Sequence, residues 1–298
     1  MFSRIAACVA VGLALPVAAA DVSCAAQAPL AEPLATKPSN VRIGVALGSG
    51  AIHGLAHIGV LEELEAHGLD VKVVSGTSVG ALVGSLWASG IPAAQIEAMS
   101  REGPWGSRMK ASWITMFTRG RDLDVLLAPH YRGRPIEAWP RRFGAVATNL
   151  ANGHPRVFMT GDATVAVEAS SAVPMLDSPV AVGKERFLDG ALVQPIPVDA
   201  ARALGAEFVI AVDVAYRPYE EAPSGVGANA FQAMHILVNA LAERQLRDAD
   251  FAMRLDLHEA MSRCGPESLV ARGREAMRNA WPELERALEG RRSRAPAS

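Results

Sequence analysis

Val71-Lys72-Val73-Val74-Ser75-Gly76-Thr77-Ser78-Val79-Gly80-Ala81-Leu82-Val83-Gly84 changes character in mid-course. The opening Val71-Lys72-Val73-Val74 is β-branched, as in a short strand, whereas Val79 to Ala88 reads as a helix ended by Gly90 and Pro92. Between them Gly76-Thr77-Ser78-Val79-Gly80 has the G-x-S-x-G form, in the strand-turn-helix context that a nucleophile elbow needs. Such a turn lifts the serine hydroxyl above the sheet. Gly76 and Gly80 leave room for the tight backbone, and the helix N-terminus turns its unpaired N–H groups toward the site. The motif alone is compatible with a plainer role for Ser78, the N-cap of the following helix.

The same alternation occurs upstream. Val41-Arg42-Ile43-Gly44-Val45-Ala46-Leu47 reads as a buried strand, followed by the turn Gly48-Ser49-Gly50-Ala51-Ile52-His53-Gly54 and a helix over 54–66. In that helix Leu55, Ile58, Leu61 and Leu64 share a face, so Glu62, Glu63 and Glu65 are expected to point outward. His57 is expected to pack near the sheet. Repeated strand-turn-helix units predict an α/β fold of three layers, with a mostly parallel central sheet between helices. The glycine-rich turn could cradle a dinucleotide. However, His53 stands where the third glycine of G-x-G-x-x-G belongs, and no acidic residue ends the second strand. The better reading is an oxyanion hole, in which the Gly50 and Ala51 amides face the charge that develops when Ser78 is acylated.

Downstream, residues 100–142 mix tryptophans with basic residues and show no clean period, which predicts an inserted helical and loop segment near the site entrance. Within it Trp105, Trp113, Phe117, Arg108, Lys110, Arg119 and Arg121 could meet an anionic lipid surface or pack inward. Strands at 144–150 and 156–160 flank the hairpin signal Asn152-Gly153. A helix over 163–171, a strand near 186–188, a helix over 197–204 and a strand over 207–214 come next. A helix over 229–247, with Phe231, Met234, Leu237 and Leu241, is expected in the core. A strand near 251–255 and a helix over 267–288 finish the order, with a frayed basic tail from Arg291. After the 186–188 strand, Asp189-Gly190 could bring a carboxylate to Ser78 or simply form an Asp-Gly turn.

The composition narrows the class. The chain has 298 residues, net charge -2, 50% hydrophobic and 5% aromatic residues. A near-neutral balance without a basic stripe argues against nucleic-acid binding. Met1 to Ala20 reads as a signal peptide, with Arg4, an apolar run to Val17 and Ala18-Ala19-Ala20 before cleavage. A periplasmic or secreted protein is the expectation, and lipidation at Cys24 the alternative. Residues 21–40, with Pro29, Pro33 and Pro38, read as a linker; 41–260 as the main domain; and 261–298 as a C-terminal helix and basic tail. Cys24 and Cys264 could pair in an oxidising compartment, although two unpaired thiols are the simpler expectation.

Taken in order, four segments resemble the patatin-like phospholipase family. They are Leu47-Gly48-Ser49-Gly50-Ala51-Ile52-His53-Gly54-Leu55, Gly76-Thr77-Ser78-Val79-Gly80, Ala169-Ser170-Ser171-Ala172-Val173-Pro174 and Asp189-Gly190-Ala191-Leu192-Val193-Gln194-Pro195. The resemblance implies hydrolysis of acyl esters in phospholipids or related lipids at a membrane surface, without a metal or other cofactor. It implies a dyad in which Ser78 is the nucleophile and Asp189 the base, with Gly50 and Ala51 as oxyanion donors. Gly48, Ser49, His53, Gly54, Gly76, Gly80 and Gly190 then support the site. The sequence departs from the family at Ala51, where a third glycine is usual, at His53, where Arg or Lys is usual, and at Met175, often Gly. Met175 is therefore expected to narrow the pocket, and a catalytically weak lipid-binding module on the same fold is the competing reading. A triad would instead require His235 or His258.

Overall fold

The computed structural model describes residues 40–102, 120–217 and 224–292. The stretches read as a signal peptide and as a linker, up to residue 39, and the aromatic and basic cluster from Trp105 to Arg119 lie outside these residues.

Five strands run parallel in the order β3 (Arg142–Asn149), β2 (Val71–Thr77), β1 (Ile43–Leu47), β7 (Phe208–Asp213) and β8 (Phe251–Arg254). Three strands are antiparallel additions beyond β3: β4 (Pro155–Phe158), β6 (Glu185–Asp189) and, paired to β6, β5 (Val180–Val182). The β5–β6 hairpin was not foreseen in the sequence.

Both faces of the sheet are covered, which is why β1 is apolar throughout. Ile43, Val45 and Leu47 enter one core with α1 (Leu55–Ala66) and α2 (Val79–Ala88). Ala46 and Val73 enter a second core with α6 (Val198–Ala203) on the opposite face. The first face also carries α3 (Ala93–Arg101), α4 (Gly120–Tyr131) and α5 (Ala163–Ser170), placed here in chain order before α6. The second also receives the C-terminal half of α7 (Val226–Leu246), through Ala242 and Leu246. The expected three-layer α/β architecture is thus the one observed.

Two segments were misjudged from sequence. Glu62 and Glu63 do not face solvent, because α9 (Glu267–Arg292), which follows the short helix α8 (His258–Cys264), packs along α1. Glycines make that contact close: a Cβ on Gly59 would meet the Val270 carbonyl, and one on Gly273 the Ala56 carbonyl. Arg274 pairs with Glu62 and with Glu97 of α3, and Arg278 pairs with Glu63. The second misjudged segment is α7. Only Asn239, Ala242 and Leu246 of its 21 residues are buried, so its N-terminal half is not core. Cys264 is disulfide-bonded rather than unpaired, and the other two cysteines, Cys8 and Cys24, lie outside the described residues.

Candidate active site

Strand register brings the motifs together at one end of the sheet. Leu47 pairs with Gly76 of β2 and with Val212 of β7, so the loops after β1, β2 and β7 emerge side by side. Thr77 pairs with Val146, and Ala147, the next residue, pairs with Asp189. Ser78 and Asp189 therefore reach the same level from strands two places apart.

Ser78 has φ 57° and ψ −124°, a strained turn conformation for a non-glycine residue. Its side chain makes no N-cap bond to α2. Instead it lines the same cavity as the Asp189 carboxylate. The elbow is held from behind by Ser170 at the end of α5. The Ser78 N–H donates to Ser170 Oγ at 2.9 Å, and that hydroxyl donates onward to the Val146 carbonyl at 2.6 Å. Gly80 is required because a Cβ there would run into the Leu47 carbonyl. Neither the role of Ser170 nor its link to β3 was visible in the sequence, since only a helix end was legible there.

Asp189 is buried, and burial pushes its carboxyl up to about 6, against the downward pull of hydrogen bonds from the Ser78 hydroxyl and the Ala191 N–H. The second bond, 2.8 Å to Oδ1, caps the turn at Gly190–Leu192. The Asp189 backbone is fixed at both ends, its N–H on the Ala172 carbonyl at 2.8 Å and its carbonyl receiving Thr148 Oγ1 at 2.8 Å.

The glycine-rich loop divides into an anchored half and a free half. The Gly48 N–H donates to Val212 O and the Ser49 N–H to Pro195 O, both at 2.9 Å. His57 Nε2 donates to the Gly48 carbonyl at 2.8 Å, and burial lowers the ring's pKa to about 4, so it is a neutral positioning group. By contrast, the Gly50 and Ala51 N–H groups donate to nothing among the described residues. Ala51 has φ 46°, the left-handed region in which glycine, the residue the resemblance leads one to expect there, costs less.

A cavity of about 100 Å³ collects these groups. Gly50, Ala51, Ser78 and Asp189 line it together, with Val173 and Pro174 on one side and Met234, His235 and Val238 of α7 on the other. Met175 does not narrow it. That residue is 57% exposed, and its φ of 71° is a backbone conformation that a glycine would adopt at less cost. His235 faces the cavity, whereas His258 is exposed at the start of α8 and is not among its walls.

The architecture and this end of the sheet define a three-layer α/β protein with a serine elbow beside a buried carboxylate. Within that class, residues 45–104 match the family model described as patatin-like phospholipase, so the resemblance drawn from the motifs holds. An uncharacterised NTE family protein of Mycobacterium tuberculosis is 32% identical over 184 residues, which cover 61% of this chain and 32% of that protein. Lysophospholipase NTE1 of Meyerozyma guilliermondii is 28% identical over 185 residues, 59% of this chain but only 13% of its own length. Among solved structures, VipD from Legionella pneumophila aligns with 90% of this chain and 71% of its own at 14% identity, with TM-score 0.45.

Proposed function

We propose that this chain is a serine acyl-ester hydrolase of phospholipids or related lipids, working through Ser78 and Asp189. The observation that carries this reading is a strained-turn serine, Ser78, lining one cavity with the buried Asp189 carboxylate and with two amides that donate to nothing among the described residues. The matched family and the lysophospholipase among the relatives supply the substrate class.

In the first step the Asp189 carboxylate takes the Ser78 proton as Oγ attacks the ester carbonyl carbon. The carbonyl electron pair moves to oxygen, where the Gly50 and Ala51 N–H groups stabilise the resulting oxyanion. Collapse breaks the ester bond, and the leaving alkoxide takes the proton from Asp189. Water then attacks the acyl-enzyme while Asp189 takes its proton. Release of the fatty acid returns that proton to Ser78.

The substrate is expected at a lipid surface. Ile236 and Leu237 of α7 are 51% and 66% exposed, between the cavity-lining His235 and Val238, and Met175 and Leu176 are exposed next in the chain to the lining Pro174, so exposed apolar side chains follow directly on two segments of the cavity wall. An extracytoplasmic setting is proposed on the signal-like residues 1–20 and the oxidised Cys264. Cell fractionation would test it.

Fluorophosphonate labelling of wild type, Ser78→Ala and Asp189→Asn, with a lipid-ester panel on the same proteins, tests the enzymatic reading. Wild type should be labelled and active, and Ser78→Ala neither. Equal labelling of the two would leave only a lipid-binding module.

A further inference from the structure

Three rings stand in a row beside the cavity. His53, in the loop that carries Gly50 and Ala51, stacks on Tyr216 with centroids 3.9 Å apart and planes 18° apart. Tyr216, just past β7, lies parallel to His235 of α7 at 5.9 Å and 7°. The row joins the glycine-rich loop, the β7 loop and α7.

His53 is an odd residue to bury. It is 3% exposed, and neither ring nitrogen makes a well-formed hydrogen bond among the described residues. An imidazole kept out of water without partners costs free energy, so its polar atoms do not account for its presence. Burial drives its pKa down to about 4, outweighing the upward pull of the nearby Val214 carbonyl, and the ring is neutral. A neutral ring cannot do what the family's Arg or Lys does as a charge. What it offers is a flat face, and that face meets Tyr216.

The loop shows what such a contact would accomplish. Its first half is tied down by the Gly48 and Ser49 amides. Its second half carries the two free donors, and within it His53 N–H bonds back to Gly50 O at 3.0 Å, closing a single turn. Ile52 anchors that turn in the core below. On the cavity side it is held by the ring stack. A donor must stay within a few tenths of an ångström of the oxyanion position, and displacement of about 1 Å can cost on the order of a hundredfold in rate.

We infer that Tyr216 is a positioning residue, clamping His53 so that Gly50 and Ala51 stay aimed at the reacting carbonyl, with His235 bracing the clamp from α7. This inference rests on the assignment of Ser78 as nucleophile and of the two amides as oxyanion donors.

The test uses the full chain and a soluble p-nitrophenyl ester, with kcat normalised to active sites titrated by fluorophosphonate. Tyr216→Leu should lower kcat about tenfold, in line with the loss of one aromatic stack, with KM changed by less than about twofold. Tyr216→Phe, which keeps the ring, should restore most of kcat. His53→Leu should resemble Tyr216→Leu, and the double variant should be no slower than the worse single one, because both remove the same contact. An unchanged kcat in Tyr216→Leu, a loss confined to KM, or losses that add in the double variant would each overturn the clamp. Tyr216→Phe as slow as Tyr216→Leu would overturn it too, and does not depend on whether the leucine variant folds well. A wild type that neither hydrolyses esters nor takes the label refutes the hydrolase reading, and the clamp with it; an active wild type beside an unaffected Tyr216→Leu refutes the clamp alone.

Discussion

Asp189 meets two opposing demands. As the proposed base it must be ionised, yet burial favours its protonated form, and its pKa of about 6 leaves roughly nine-tenths of it charged at pH 7. Activity should therefore fall as pH drops through about 6, and the acidic limb of kcat/KM against pH on a soluble ester would show it. The linkage to stability has the opposite sign. A folded pKa above the unfolded value of 3.8 means that the protonated form favours the fold, a contribution fully present below about pH 4 and lost as pH rises through 6. Asp189→Asn should thus abolish most activity and yet raise the melting temperature at pH 8, by an amount worth on the order of 1–3 kcal/mol, with little change at pH 4. Lower stability of the variant at pH 8 would show that the carboxylate is not under strain. Ser170 supplies a second residue-level test. Ser170→Ala leaves the Ser78 N–H without its acceptor, which should cost about 1–3 kcal/mol in urea unfolding and slow the labelling of Ser78. Unaltered labelling would mean that the elbow holds its shape without this bond. The two proposed catalytic residues were legible because Ser78 sits between glycines at a strand end and because the resemblance singles out Asp189, which by itself reads as an Asp-Gly turn. Ser170 was not, because a serine at a helix end reveals nothing of which strand lies across from it.

At the scale of elements, α7 is the informative case. From Val226 to Ala242 it has no charged residue, yet only its C-terminal half is packed against the sheet. Placing Ile236 and Leu237 in a lipid surface would remove both from water, each worth about 1.5–3 kcal/mol if fully buried. Ile236→Asp with Leu237→Asp should weaken sedimentation with phosphatidylcholine vesicles at least tenfold, while hydrolysis of a soluble ester stays within about twofold. Vesicle binding equal to wild type would remove α7 from the membrane contact. The spacing of Phe231, Met234, Leu237 and Leu241 made this helix legible, but periodicity reports which face is apolar and not what covers it. The same limit explains Glu62 and Glu63, which share a helix with Leu61 and Leu64 but are covered by α9 more than 200 residues later, as the separations of 212 and 215 to Arg274 and Arg278 show. The parallel strands were easier, because burial on both faces leaves near-continuous apolar runs such as Val45-Ala46-Leu47. β5, three residues long, is too short to display any period.

Across the whole molecule, the sheet sets the distances within the site, and the buried charges of α9 hold the helical layer in place around α1. Arg274 lies between Glu62 of α1 and Glu97 of α3, with Nε 3.0 Å from Glu62 Oε2 and Nη2 3.0 Å from Glu97 Oε2. Arg101 takes the other oxygen of Glu97 at 2.6 Å, while Glu62 Oε1 is buried with no well-formed hydrogen bond among the described residues. Burial, with the hydrogen bond and the charge of Glu97 adding to it, raises the Glu62 pKa to about 8 against the pull of Arg274. Near neutrality the cluster therefore keeps a proton on Glu62. Because the folded pKa is raised above the ordinary 4.5, this stabilisation is complete below about pH 4.5 and is lost as pH rises toward and through 8. Glu62→Gln, which fixes the neutral form, should flatten the fall in melting temperature between pH 6 and 9. An alkaline slope equal to that of wild type would place the titration elsewhere. Arg274→Leu should act in the other direction, since it leaves two carboxylates facing each other without their cation, and a cost of about 3–5 kcal/mol is expected for breaking a buried pair from one side. Part of that cost should be recovered in the double variant Glu62→Gln, Arg274→Leu, because the remaining Glu97 still has Arg101. Strict additivity of the two changes would mean that Glu62 and Arg274 contribute to the α1–α9 contact independently, and that the shared proton plays no part in holding the layer together.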